Sequence, residues 1–345
     1  MEIDFSVISG SLLESMTAPD EGQPPKATKL MDQMRAVLRV QHYALRTEQA
    51  YCDWVRRYVK FHGMKSRADL ADGTRKVEAF LTHLAVVGKV AAATQNQALN
   101  ALLFLYSRVL EQPLEARVDA VRASRAPRVP VVLPVAEARQ VLALVSGPAQ
   151  LVVKLMYGSG LRLMEALRLR VQEVDFKMLE VVVRQGKGFK DRVTPLAVSL
   201  ATPLQEHLAG VKLRFEEDRR AELAGVWLPG ALERKYPKAG TEWGWQWVFP
   251  SRSISVDPRS GVRRRHHLDP ATVDKAIKVA TAKAGITKRV SSHTFRHSFA
   301  THLLQNRTDI RTIQELLGHK DVSTTMIYTH VLRQGGLGVK SPLDD

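Results

Sequence analysis

Apolar residues in the first third of the chain follow a helical period. Leu30, Met31, Met34, Val37 and Leu38 recur at three- and four-residue spacing, as do Tyr51, Trp54, Val55, Tyr58 and Val59. Val77, Phe80, Leu81 and Leu84 form a third stripe, and Leu99, Leu102, Leu103, Tyr106 and Leu110 a fourth. Four amphipathic helices over residues 30–113 predict a small helical bundle. The period then fails: Pro113, Pro127, Pro130 and Pro134 exclude a helix across 113–134 and predict an extended connection. Beyond it the pattern mixes. Helices are expected at 136–146, 149–157, 163–169, 198–223, 271–284, 293–306, 309–317 and 321–330. Alternating segments near 171–175, 179–184 and 191–196 predict strands, with Gly186 and Gly188 in a turn between the last two. The fold class expected is mainly α with a small antiparallel β-sheet. The first 29 residues, ending in a Pro- and Gly-containing acidic stretch, predict a disordered head. No internal repeat is visible.

Charge changes this picture. The 345 residues carry 51 Lys and Arg against 35 Asp and Glu, a net +16. Residues 1–25 hold five acids and no Lys or Arg, so the excess sits on the predicted folded parts and the connection. Such a distribution predicts a polyanion partner held by folded elements rather than by a basic tail; solubility alone is the plainer explanation. No apolar run approaches the ~20 residues of a membrane helix, and the N-terminus lacks the pattern of a secretory signal. The single cysteine, Cys52, excludes a disulfide framework and a Cys-based zinc site. A cytoplasmic protein is expected.

Four short constellations carry candidate chemistry. Tyr157-Gly-Ser-Gly-Leu-Arg162-Leu-Met-Glu165 predicts a tight turn into a helix with Arg162 near its positive end. It lacks the Gly-Lys-Ser/Thr ending of a phosphate loop and is no dinucleotide fingerprint. Gln185-Gly-Lys187-Gly-Phe-Lys190-Asp-Arg192 places a lysine at a hairpin tip, where it is either an exposed turn residue or a proton donor reaching into a groove. In His293-Thr-Phe-Arg296-His297 the first His and the Arg share a helical face. The two histidines have metal-ligand spacing, but Thr294 stands where a zinc protease needs Glu, so no metal is expected. The fourth is Leu317-Gly318-His319, followed by Tyr328 and His330. Each is weak alone; their order is the signal.

The stretches GSGLRLMEAL, GKGFKDR, HTFRHSFATHLL and LLGHKDVSTTMIYTH resemble the motifs of the tyrosine recombinases, in order and in approximate spacing. Phe295 stands where related sequences more often carry Leu. The resemblance extends to the integron integrases through an added segment at about 225–250, from Leu228-Pro-Gly to Trp243, Trp245 and Trp247. It extends also through Asp257-Pro-Arg-Ser-Gly-Val-Arg263-Arg264-Arg265-His266-His267, ALRTEQAYCDWVRRYVKFHG and the ending Gly338-Val-Lys-Ser-Pro-Leu. It covers roughly residues 30–343. The implied fold is a SAM-like core-binding domain at 30–113, a basic linker at 114–130 and a catalytic domain at 131–345, forming a C-shaped clamp on DNA.

The resemblance implies a catalytic set of Arg162, Lys187, His293, Arg296, His319 and Tyr328. The two arginines would hold the non-bridging phosphate oxygens, and Tyr328 would attack, giving up its proton to His293. Lys187 would protonate the leaving 5′-oxygen and His319 would donate to the phosphate. No cofactor is implied, because the 3′-phosphotyrosyl ester conserves the bond energy. Candidate DNA contacts are Arg46, Arg56, Arg57 and Lys60 in the bundle, Arg117, Arg122, Arg125 and Arg128 in the linker, and Lys190, Arg192, Arg263, Arg264, Arg265, His266 and His267 in the catalytic domain. His266 and His267 with their arginines fit a solvated basic loop equally well. Pro237, Trp243, Trp245 and Trp247 are candidates to stack on extrahelical bases, or else they pack the added segment onto the core. The implied partners are duplex attachment sites, folded single-stranded hairpins and three further copies of the chain in a synaptic tetramer, with a tail bearing Val331, Leu332, Leu337 and Val339 docked on a neighbour or folded back. Competing readings are a phage-type or chromosome-dimer-resolving recombinase, a type IB topoisomerase, a DNA-binding accessory protein and a metal nuclease.

Overall fold

A computed structural model describes residues 29–114, 118–123, 130–184 and 191–329. The head, Arg117, Arg125, Arg128, the Lys187–Lys190 turn and the tail after Thr329 lie outside them. The chain divides into two compact units, residues 1–127 and 128–345.

In the first unit the four apolar stripes become α1 (Leu30–Val40), α2 (Leu45–Phe61), α3 (Gly73–Val86) and α4 (Ala92–Phe104), the last running on as a π-helical turn, Leu105–Val109. The stripes face inward: Met34, Leu38, Val55, Tyr58, Leu81, Leu102 and Tyr106 are all buried. The Tyr58 and Tyr106 hydroxyls meet at 2.8 Å, and Tyr106 donates to the Leu70 carbonyl at 3.0 Å, so neither phenol is left unsatisfied in the apolar interior. Residues 118–123 have no regular structure. They run along α3 and α4, where Gln95 donates to the Val121 carbonyl and accepts from the Ala123 N–H.

The second unit begins with α5 (Val135–Leu144), α6 (Pro148–Gly158) and the short α7 (Leu163–Leu167). Then come β1 (Val174–Asp175), β2 (Glu180–Val183) and β3 (Arg192–Pro195), an antiparallel sheet in that order. The expected strand at 171–175 is shorter because Val171–Glu173 is a 3-10 turn, closed by Glu173 reaching back to the Arg170 N–H. Register decides the faces: Arg192 sits opposite Val183 and Thr194 opposite Val181, so these polar residues share the inner face while Val193 is half exposed.

The long α8 (Val198–Arg220) is followed by α9 (Gly230–Lys235) and a hairpin of β4 (Pro250–Val256) and β5 (Arg263–His267). The hairpin was not expected, because five consecutive Arg and His residues carry no apolar alternation. Its turn is set by Asp257, which accepts from the Arg259 and Ser260 N–H groups, and by Gly261 at φ +70°. The unit ends with α10 (Pro270–Lys283), α11 (Ser292–Gln305), α12 (Ile310–Leu317) and α13 (Ser323–Met326). The helix expected over 321–330 is thus one turn only; Ser323, Thr324 and Thr325 are poor helix formers.

Val152, Met156, Leu167, Val181, Leu204, Phe249, Ile277 and Phe295 belong to the main core, while Phe299, Leu304, Ile313, Leu317 and Tyr328 form a second cluster. The added segment is anchored at a backbone crossing, where Val226 N–H donates to the Gly240 carbonyl at 2.9 Å. A β-carbon on Gly225 would lie 2.4 Å from the Gly240 carbonyl carbon. Gly225→Ala should therefore destabilise by roughly 1–3 kcal/mol, the cost of overpacking, and lower the melting temperature by about 2–12 °C; thermal denaturation reads this directly, and an unchanged melting point would contradict the crossing.

Candidate active site

The turn before Arg162 and the turn before His319 meet α11 around Arg296. This residue is 3 % exposed, and its side chain donates to the carbonyls of Gly160 and Leu317, with its Nη2 also 3.3 Å from His319 Nε2. It thereby ties the turn before Arg162 to the turn before His319. Gly160 has φ +64°, and a β-carbon there would lie 2.5 Å from the Phe299 ring, so the turn needs glycine on both counts. Burial, followed by the charge of Arg162, pushes the Arg296 pKa down to about 9, which leaves it cationic at neutral pH.

Arg162 occupies the N-cap of α7, as the two-glycine turn predicts, and remains partly exposed. Glu165, three residues on, accepts from the Arg162 backbone N–H at 2.8 Å and from its Nη1 at 2.7 Å. The same carboxylate takes two bonds from Arg192, at 3.0 and 2.6 Å, and lies 3.9 Å from Arg296. Burial alone would raise the Glu165 pKa; the hydrogen bonds and charge of Arg192, with those from Arg162, outweigh it and hold it at about 2. One carboxylate thus fixes three guanidinium groups. Glu165 was not among the expected site residues, although its i+3 spacing from Arg162 is that of a capping box.

Arg192 is corrected by the structure as a DNA contact. Its side chain is 9 % exposed, its Nε donates to the Leu316 carbonyl at 2.8 Å, and both Nη atoms bind Glu165. It also packs under Gly318, whose added β-carbon would lie 3.1 Å from Arg192 Cδ.

His319 and Tyr328 stand beside this network, their rings 6.5 Å apart and nearly parallel. Burial, then Arg296, Arg162 and Arg192, lowers the His319 pKa to about 4, so the ring is neutral. Its Nδ1 is 2.9 Å from the Thr325 hydroxyl. Facing the Arg296 donor, Nε2 acts as the acceptor, which puts the ring proton on Nδ1. A phosphate that displaced this arginine contact would favour the other tautomer, with Nε2–H turned to the phosphate. Tyr328 is 2 % exposed and its hydroxyl lies 2.9 Å from His297 Nδ1. Burial raises the Tyr328 pKa above the usual phenol value, against the opposing pull of Arg296 and Arg162. His293 is exposed at the start of α11, its ring stacked 6.2 Å from His297. Of the six expected residues, five are linked by this chain of contacts; Lys187 lies outside the described residues, between β2 and β3.

The candidate DNA contacts divide. Arg46, Arg56, Arg57, Lys60, Arg122, Arg263 and His266 are exposed. Arg264 and His267 are buried, and Arg265 grips Asp218 through two bonds of 2.5 and 2.6 Å, so these three are corrected to supports of the β4–β5 hairpin. Trp247 takes the packing alternative: it is 2 % exposed, with the Arg170 guanidinium 3.2 Å from its ring centre. Arg170 also donates to the Trp245 and Trp227 carbonyls, pinning the added segment from beneath. Trp243 is half-buried against Phe215, Trp245 is half-buried, and Pro237 is exposed.

Residues 132–334 match the phage integrase family, and residues 30–116 match the phage integrase N-terminal SAM-like domain. An integrase/recombinase of Escherichia coli is 50 % identical over 335 residues, covering 96 % of this chain and 97 % of that protein. Tyrosine recombinase XerD of Agrobacterium fabrum is 33 % identical over 295 residues, 80 % of this chain and 81 % of its own. The fold matches that of the XerH site-specific recombinase bound to its difH substrate, with a TM-score of 0.56 at 21 % identity, covering 88 % of this chain and 82 % of that one. With its catalytic and SAM-like parts both matched, the chain belongs to the phage integrase family: it is a tyrosine recombinase, an enzyme of site-specific DNA recombination.

Proposed function

We propose that the chain is an integron-type integrase, which integrates and excises gene cassettes by cutting and rejoining DNA at duplex sites and at folded single-stranded hairpins. The observation that carries this reading is a cavity of about 290 Å³ between the catalytic turn and the added segment, lined in part by Arg162, Glu165, Arg168, Leu232, Trp227 and Trp245. A base swung out of a hairpin stem would meet apolar and aromatic walls there, with cations for its phosphate, directly beside the reacting centre.

In this reading Arg162 and Arg296 hold the scissile phosphate and Tyr328 attacks phosphorus. The phenol oxygen–phosphorus bond forms as the bond to the 5′-oxygen breaks. The phenol proton passes to His293, and Lys187 gives the departing 5′-oxygen its proton. His319 donates to a non-bridging oxygen as charge builds up. A 5′-hydroxyl from a partner strand then reverses the step, within a tetramer of the chain that holds two sites together.

The test is a nicked suicide substrate offered in three forms: a hairpin with extrahelical bases, the same hairpin with those bases deleted, and an unbulged duplex. A covalent protein–DNA adduct that is strong on the first and at least tenfold weaker on the second supports the reading. Equal adduct on both hairpins, or adduct on the duplex alone, would replace it with a recombinase of duplex sites, the kind of protein that XerD, the relative at 33 % identity, is named for.

A further inference from the structure

The hydroxyl of Tyr328 is bonded to a histidine outside the expected catalytic set. His297 follows Arg296 on α11 and lies one turn beyond His293, and its Nδ1 is 2.9 Å from the Tyr328 hydroxyl. We propose that His297 is the positioning residue of the nucleophile: its Nδ1 accepts a hydrogen bond from the Tyr328 hydroxyl and keeps that hydroxyl covered and protonated until DNA is engaged. This rests on the reading of Tyr328 as the nucleophile.

Three observations carry it. First, Tyr328 is 2 % exposed and packed with Phe299, Leu304, Ile313 and Leu317. A phosphodiester cannot reach a hydroxyl that is covered, so the arrangement is one of storage, and attack requires the hydroxyl to leave Nδ1. Second, the direction of the bond follows from chemistry. A neutral imidazole has one acceptor nitrogen, a better acceptor than a phenol oxygen, while the phenol is the better donor. Third, burial, then His293 and Arg296, lowers the His297 pKa to about 4, whereas that of Tyr328 is raised. Both shifts oppose proton transfer from Tyr328 to His297 in the stored state. His297 therefore holds the proton in place and does not remove it. That separates its role from the one assigned to His293, which meets the His297 ring and is exposed.

The experiment uses the full-length protein without DNA, followed by single-turnover cleavage. Nitrogen-15 NMR of labelled histidines should show His297 with its proton on Nε2, and Tyr328→Phe should shift the Nδ1 resonance. Tetranitromethane, with the modified peptide read by mass spectrometry, should nitrate Tyr328 several-fold faster in His297→Leu than in wild type. His297→Asn, whose side-chain oxygen takes the place of Nδ1, should restore protection. On the suicide substrate His297→Leu should form the adduct sooner than wild type. A proton found on Nδ1, or an Nδ1 signal that ignores Tyr328→Phe, overturns the proposal. So does unchanged nitration in a folded His297→Leu protein, or loss of its adduct with DNA binding intact. If His297→Leu does not fold, the NMR comparison of wild type with Tyr328→Phe decides alone. An adduct mapped to any residue other than Tyr328 defeats the nucleophile assignment instead, and is told apart because it appears in the wild-type protein.

Discussion

A Tyr328→Phe protein will bind its DNA as tightly as wild type and form no covalent complex with it. The ring remains packed against Phe299, Leu304, Ile313 and Leu317, so the substitution removes one oxygen from the second core cluster and no apolar contact. Losing the bond to His297 costs about 1 kcal/mol of stability, the usual worth of one neutral hydrogen bond. The phenol is uncharged at neutral pH, and the arginines proposed to hold phosphate are untouched. Cleavage by the proposed reaction, in contrast, has lost the atom that would form the new bond, and its rate should fall by a factor on the order of 10⁴ or more. Gel-shift titration and denaturing electrophoresis on the same samples separate the two quantities. A trapped adduct in the mutant would remove Tyr328 from the mechanism.

Arg192→Ala should have the next largest effect, and on stability as well as rate. Deleting this guanidinium strips Glu165 of two bonds and the Leu316 carbonyl of one, in surroundings where the carboxylate is 11 % exposed. Breaking a buried pair from one side costs about 3–5 kcal/mol, or about 6–20 °C in melting temperature for a unit of this size. Arg192→Lys should recover little, because one ammonium cannot span both carboxylate oxygens and the carbonyl. The acid side carries a further signature. Glu165 is held at about 2 against an ordinary 4.5, a depressed folded-state value. Its contribution of ~3 kcal/mol is therefore present above about pH 4.5 and is lost as pH falls toward 2. Urea denaturation between pH 6 and 3 should show this loss in wild type and a smaller one in Arg192→Ala. Equal acid dependence in the two proteins would contradict the pairing of Arg192 with Glu165.

The helices were legible wherever one face meets a core. The stripes of α1 to α4, the two-glycine turn into α7 and the long α8 follow from apolar spacing and from glycine placement. The β4–β5 hairpin was not, because its strands are built from Arg, His and Ser and its stability comes from pairings such as Arg265 with Asp218, 47 residues apart. The site divides in the same way. Motif order named five residues that contact joins into one network, but it assigned Arg192 to DNA. Its inward direction is a matter of register against β2, and register depends on which residues the sheet covers, not on local composition. For Trp247 two roles stood open for a related reason: clustering along the chain does not reveal that a guanidinium lies on the ring.

Arg296 makes the catalytic centre and the fold depend on one cation. Its donors close the turns at Gly160 and at Leu317, and the same group is the one expected to meet phosphate. If the proposed role holds, selection for a well-closed domain acts on the same side chain as selection for reactivity. A lineage that abandoned recombination yet retained this fold would keep its arginine long after its tyrosine was free to change.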